Sequence, residues 1–128
     1  MEHRRTRAPL ARARGLGSAK DGVHAWWLER VTAVALVPLT LWLTAALIAG
    51  RSRDYATFIA WLRDPLAALL LVLLLLALFV HLALGLKVVI EDYVHGRAKI
   101  PALIAARLGC VVLCVAGVLA TLSVSFGG

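Results

Sequence analysis

Three long apolar runs, separated by two short charged stretches, dominate the pattern of this chain. Residues 31–49 carry no charge, residues 66–86 hold one histidine and no other ionisable group, and residues 102–126 hold one arginine. A helix rises about 1.5 Å per residue, so roughly 20 apolar residues cross the hydrocarbon of a bilayer. The runs therefore predict three transmembrane helices, over about residues 25–49, 65–91 and 101–126. The expected architecture is an all-α integral membrane domain at residues 21–128 behind a basic tail at residues 1–20.

Local punctuation agrees with these limits. Asp64-Pro65 reads as a helix start, an acidic cap followed by a proline whose missing N–H costs nothing there, and Pro101 is placed in the same way. Ser18 with Asp21 resembles a capping box after Gly15 and Gly17. Pro38 removes a backbone donor in mid-run and predicts a kink of the kind membrane helices tolerate. Residues 50–64 and 91–99 read as polar links. Trp26 and Trp27 at one border, and Tyr55 and Trp61 at the other, suit aromatic belts.

Composition strengthens the membrane reading. A hydrophobic fraction of 62% and a mean hydropathy of +0.88 exceed those of ordinary soluble domains. The net charge of +7 does not indicate nucleic acid, because the bases crowd beside the apolar runs instead of forming one soluble basic face. They also set an orientation. Seven lie between Arg4 and Arg30, four more (Lys87, Arg97, Lys99, Arg107) flank the second link, and three (Arg51, Arg53, Arg63) occupy the first. Three crossings put the first two groups on one side of the membrane, and the positive-inside rule makes that side cytoplasmic. The tail can rest on anionic lipid head groups or on a soluble partner. Cys110 and Cys114, four apart within the third run, read as small core residues and not as a zinc site or disulfide.

The chemistry gathers on the second run. His81 is the intramembrane ionisable residue, and such residues are functional candidates. Ala77, His81 and Gly85 share a helix stripe, which leaves a flat opening beside the imidazole. Asp92 returns to nearly that face, and Tyr93 lies about 18 Å further along the axis, at the rim. Three readings of His81 stand: a histidine bonded within a bundle, a proton-relay residue of a small transporter or channel, or an axial metal ligand. Residues 31–49, 66–90 and 102–126 contain no Asp or Glu, which such transporters usually place within a span. His24 and Arg30, at the start of the first run, read as interfacial anchors, and Tyr93 and Asp92 as a belt tyrosine and a helix-end charge.

HxxxG at His81 followed by Asp92-Tyr93, with Gly22-Val23-His24 and Arg30-Val31-Thr32-Ala33-Val34 ahead of the first span, resembles the hydrophobic membrane anchor subunit of succinate dehydrogenase. The resemblance runs from about Gly15 onward. It implies a two-subunit helical anchor bundle in a bacterial cytoplasmic membrane, joined by a cytochrome b subunit, an iron–sulfur subunit and a flavoprotein subunit. It implies that His81 is an axial ligand of a haem b, with Arg30 and His24 on the propionate side. It also implies that Tyr93, with Asp92 beside it, binds ubiquinone. A haem b with two imidazole ligands needs a second histidine, and no other histidine here lies deep in an apolar run, so the partner chain would supply it. The chain itself would carry no succinate-oxidising chemistry, and an anchor holding no haem is the structural rival.

The charge asymmetry gives a direct expectation. A reporter inserted near Gly96 should be cytoplasmic, and one fused after Gly128 should be periplasmic. A cytoplasmic reporter after Gly128 would refute both the number of crossings and the orientation.

Overall fold

The computed structural model describes residues 17–127, with side chains from residue 22 onward. Of the expected basic tail, residues 1–16 lie outside the described residues, and Gly17 is already helical. Helix α1 spans Gly17–Ile48, α2 Tyr55–Arg63, α3 Pro65–Tyr93 and α4 Lys99–Phe126, with a single 3₁₀ turn at Gly96–Ala98. Three of them, α1, α3 and α4, are long and apolar enough to cross a membrane. No strand occurs among the described residues. Ser18 lies within the helix Gly17–Ile48. Pro38 also sits inside α1, which continues through it.

The first link, expected as a polar stretch over residues 50–64, contains a helix of its own. Gly50, at φ +85°, closes α1 with Gly50 N–H donating to the Leu47 carbonyl (3.0 Å) and Arg51 N–H to that of Ala46 (3.1 Å). These are the two bonds of a Schellman stop, and the positive φ is why glycine stands there. The chain then restarts as α2. The Asp54 carboxylate accepts from the Thr57 backbone N–H at 2.8 Å and from the Thr57 hydroxyl at 3.0 Å. Asp64 occupies the N-cap position of α3 with Pro65 next, as expected, but its side chain makes no capping bond.

Helix α2 also corrects the placement of Trp61. Instead of standing in an aromatic belt, Trp61 is buried with Leu62 and Ala67, and Trp42, Phe58, Leu71 and Val124 pack around them. Its ring centroid is 5.6 Å from that of Trp42 and 6.0 Å from that of Phe58. The reason is geometric. A short helix lying back on the bundle turns Phe58, Trp61 and Leu62 inward together, since residues three and four apart share a face. Tyr55, by contrast, is exposed as a belt residue should be.

Helix α3 is the central span and packs against both α1 and α4. At the α3–α4 contact Gly117 faces Leu75 so closely that an added Cβ would stand 3.2 Å from the Leu75 Cδ1. Such small residues let membrane helices approach when no hydrophobic drive exists between them. Cys110 is buried, Cys114 half-buried, and both are free thiols. Most large apolar side chains of the spans point outward, which suits lipid or another membrane chain.

The Asp54 cap generates a prediction. Its carboxyl is held below the usual aspartate range, first by the Thr57 backbone N–H and then by the Thr57 hydroxyl. The folded value is depressed, so the contribution to α2 is present above the unfolded carboxyl value and lost as pH falls through the folded one. In detergent-solubilised protein, Asp54→Ala should lower the hydrogen-exchange protection of the Thr57 amide. Asp54→Asn, which keeps an acceptor, should retain most of it and remove its acid dependence. Equal protection in all three proteins would show that the cap does not hold α2.

Candidate functional site

His81 lies midway along α3 and is half-buried. Its Nδ1 stands 3.1 Å from the hydroxyl oxygen of Thr32 on α1, which is only 8% exposed. Thr32 is in turn bonded backward within its own helix, 2.6 Å from the Leu28 carbonyl and 3.0 Å from that of Glu29. A carbonyl oxygen has no hydrogen to give, so the hydroxyl proton of Thr32 must point at those carbonyls. With that proton so placed, the oxygen of Thr32 accepts from the ring in the tautomer that carries its proton on Nδ1, while the roles within the pair depend on the tautomer. In that neutral tautomer Nε2 is a bare lone pair, the form in which histidine binds a metal.

The surroundings of the ring decide what can reach that lone pair. A Cβ placed on Gly85, one turn along α3, would meet nothing within 4 Å, so the expected opening beside His81 exists. Leu78, Leu82 and Val89 lie within about 100° of His81 around the helix on the same side as Gly85. They are 41%, 41% and 50% exposed, so this side of α3 is not covered by the chain itself. Among the described residues no three His, Cys, Asp or Glu side chains cluster as metal ligands. The arrangement therefore offers a single imidazole nitrogen in an apolar, open-sided setting. That donor set fits one axial position of a flat macrocycle and does not fit a protein-enclosed ion.

The other sequence candidates are not gathered around His81. Asp92 and Tyr93 form the last turn of α3, both exposed, and the chain leaves the helix at Val94, whose N–H donates to the Ile90 carbonyl at 2.9 Å. The Arg30 guanidinium lies over the Trp26 ring, 5.2 Å from its centroid, and Trp26 meets Trp27 edge to face at 5.3 Å. Arg30 is two positions before Thr32, which places it about 160° around α1 from the side that meets His81. His24 borders a cleft of about 590 Å³ between α1, α3 and α4, shared with Leu28, Leu84, Lys87, Arg107 and Cys110. A hollow of about 710 Å³ beside Trp42, Trp61 and Asp64 lies at the α2 end of the bundle, away from His81.

Thr32 is the residue that sequence reasoning passed over. Its position in the Arg30–Val34 segment was visible, but its pairing with a side chain 49 positions away requires the packing of α1 on α3. Four threonines in the spans, Thr32, Thr40, Thr44 and Thr121, bond the carbonyl four residues back. Of these, Thr32 also meets a side chain of another helix.

Comparison with known proteins adds an independent line. The family described as succinate dehydrogenase/fumarate reductase transmembrane subunit matches residues 4–123. A succinate dehydrogenase hydrophobic membrane anchor subunit from Rickettsia bellii is 35% identical over 115 residues, 89% of this chain and 92% of that protein. Its counterpart from Rickettsia conorii is 33% identical over 116 residues, with the same coverage of both chains. The anchor subunit from Paracoccus denitrificans is 34% identical over 98 residues, 75% of this chain and 74% of the relative.

Proposed function

The chain belongs to the family of succinate dehydrogenase/fumarate reductase transmembrane subunits and is a multi-pass membrane anchor; on that footing we propose that it holds one side of a haem b through His81 and forms part of a ubiquinone site at Tyr93. The observation that carries this reading is the ring of His81, whose Nδ1 lies 3.1 Å from the Thr32 hydroxyl, on a helix that has open space one turn away at Gly85. In this reading a cytochrome b subunit supplies the second imidazole, and an iron–sulfur subunit and a flavoprotein subunit carry electrons from succinate toward the membrane. The haem, when bound, supplies a one-electron redox centre within the span.

The residues of this chain divide the remaining work. His81 orients and retains the group through one nitrogen, and the bare stripe at Ala77 and Gly85 leaves room for a ring edge. Arg30 and His24, at the basic end of α1, are proposed on the propionate side. A guanidinium suits a carboxylate because it can bond both oxygens at once. Arg30 would leave its stack on Trp26 to do so, which at an exposed site gives up only about 0.5–1 kcal/mol. Tyr93, exposed at the end of α3, offers a neutral hydroxyl to a quinone carbonyl. Asp92 beside it can pass protons from water as the quinone is reduced.

Replacing His81 by leucine removes the nitrogen and keeps a side chain suited to the bilayer. In the assembled complex, His81→Leu should lose the haem or change its spin state, while succinate oxidation by soluble dyes is largely spared. A retained bis-imidazole spectrum in that variant would eliminate His81 as ligand.

Tyr93→Phe tests the quinone role. It deletes one hydroxyl and keeps the ring, so a belt tyrosine would lose little, within about 0.5 kcal/mol for a surface substitution. A hydroxyl bonded to a quinone in a partly dry pocket should cost about 1–3 kcal/mol, or roughly 5- to 150-fold in quinone reductase efficiency, with haem content and dye-linked oxidation unchanged. Quinone reduction equal to wild type across quinone concentrations would remove Tyr93 from the site.

A further inference from the structure

We infer that Thr32 is a positioning residue that sets the tautomer and ring plane of His81, so that Nε2 and not Nδ1 is the nitrogen presented on the open side of α3. The inference deepens the proposed haem-ligand reading of His81 and rests on it for its functional half, but the tautomer itself stands without haem. Three observations carry it. The hydroxyl of Thr32 is 3.1 Å from Nδ1. Its proton is engaged at 2.6 Å by the Leu28 carbonyl, which leaves the oxygen to accept. Thr32 is also nearly fully buried, at 8% exposure, so in the bilayer no water competes for that oxygen.

The chemistry of this acceptor is specific. Histidine ligands to metals usually donate their other N–H to a carboxylate, a backbone carbonyl or water, and this outer contact fixes the tautomer and raises ligand basicity. A carboxylate would draw the ring toward imidazolate. A threonine oxygen carries no charge, and its acceptor strength is raised only by its own bond to Leu28. The ring is thereby given a defined plane, anchored to the backbone of α1 through one hydroxyl. The relay runs from Leu28 carbonyl to Thr32 hydroxyl to His81 Nδ1, and it ties the ligand on α3 to a different helix.

The test uses Thr32→Val, which keeps the branched shape and deletes the oxygen, and Thr32→Ser, which keeps the oxygen and deletes the methyl. In the full chain with ¹⁵N-labelled histidine in detergent, wild type should show Nδ1 protonated and Nε2 bare. Thr32→Val should populate the Nε2–H form, and Thr32→Ser should restore the wild-type pattern. In the assembled complex, haem transfer to excess apomyoglobin should be faster in Thr32→Val by on the order of 10- to 100-fold, and near wild type in Thr32→Ser. Unchanged ring-nitrogen shifts or unchanged haem loss in Thr32→Val would overturn the inference, as would a serine variant that behaves like valine. His81→Leu, run alongside, separates the two readings. Haem held equally well without His81 removes the ligand reading and with it the haem role of Thr32, while the nitrogen spectrum still reports on the tautomer.

Discussion

Inside hydrocarbon a polar side chain has no water to return to, and this constraint governs both the hydroxyl of Thr32 and the imidazole of His81. Each satisfies part of the other, and Leu28 satisfies the proton left over. The energetic yield of such interhelical bonds is modest, averaging about 0.6 kcal/mol and reaching about 1.7 in the best measured cases. The pair is therefore better understood as a device for orientation than as the glue between α1 and α3. What it fixes is which nitrogen is spent and which remains available.

Cohesion comes from elsewhere along the same helices. The buried cluster of Trp61, Leu62 and Ala67, with Trp42 of α1 and Phe58 against it, sits where α2 folds back on α3 and α4. Helix α2 lies outside the three spans, so its apolar face can be driven inward by water, an effect that is absent between two helices in lipid. Between α3 and α4 the bond is shape, the absent side chain of Gly117 fitting against Leu75. The end that packs is thus distinct from the middle of α3, where His81 is half-buried and its neighbours along the helix are open. A site that must admit a large planar group cannot itself be the best-packed part of the bundle.

Much of this was legible in the sequence because bilayer physics writes in long, plain signals. The limits of α3 and α4 follow from Pro65, Pro101 and the apolar runs, and they match the expected spans within a few residues. His81 stood out because an ionisable group in such a run is rare. The fold of residues 55–63 was not legible. The stretch mixes charge with aromatics, and only the Asp54–Thr57 cap and the inward turn of Trp61 make it a helix. Thr32 was hidden for a different reason. A threonine in a span satisfies itself by bonding its own backbone, as Thr40 and Thr44 do, so nothing local marks the one that reaches across.

The outward surface of α3 carries the last step. Leu78, Leu82 and Val89 are substantially exposed on the Gly85 side of α3, and Gly85 lies among them with free space above it. Lipid could cover those leucines and the valine without penalty, because tails are as apolar as they are. It could not satisfy an imidazole nitrogen. An unshared lone pair facing lipid would be an unpaired polar atom in hydrocarbon, and the Thr32 contact removes the alternative of turning that nitrogen back into the bundle. In the proposed function a second membrane chain, and not lipid, covers this side of α3. On the proposed reading that chain brings its own imidazole to the far face of the haem, and the free nitrogen of His81 is the near half of that bond.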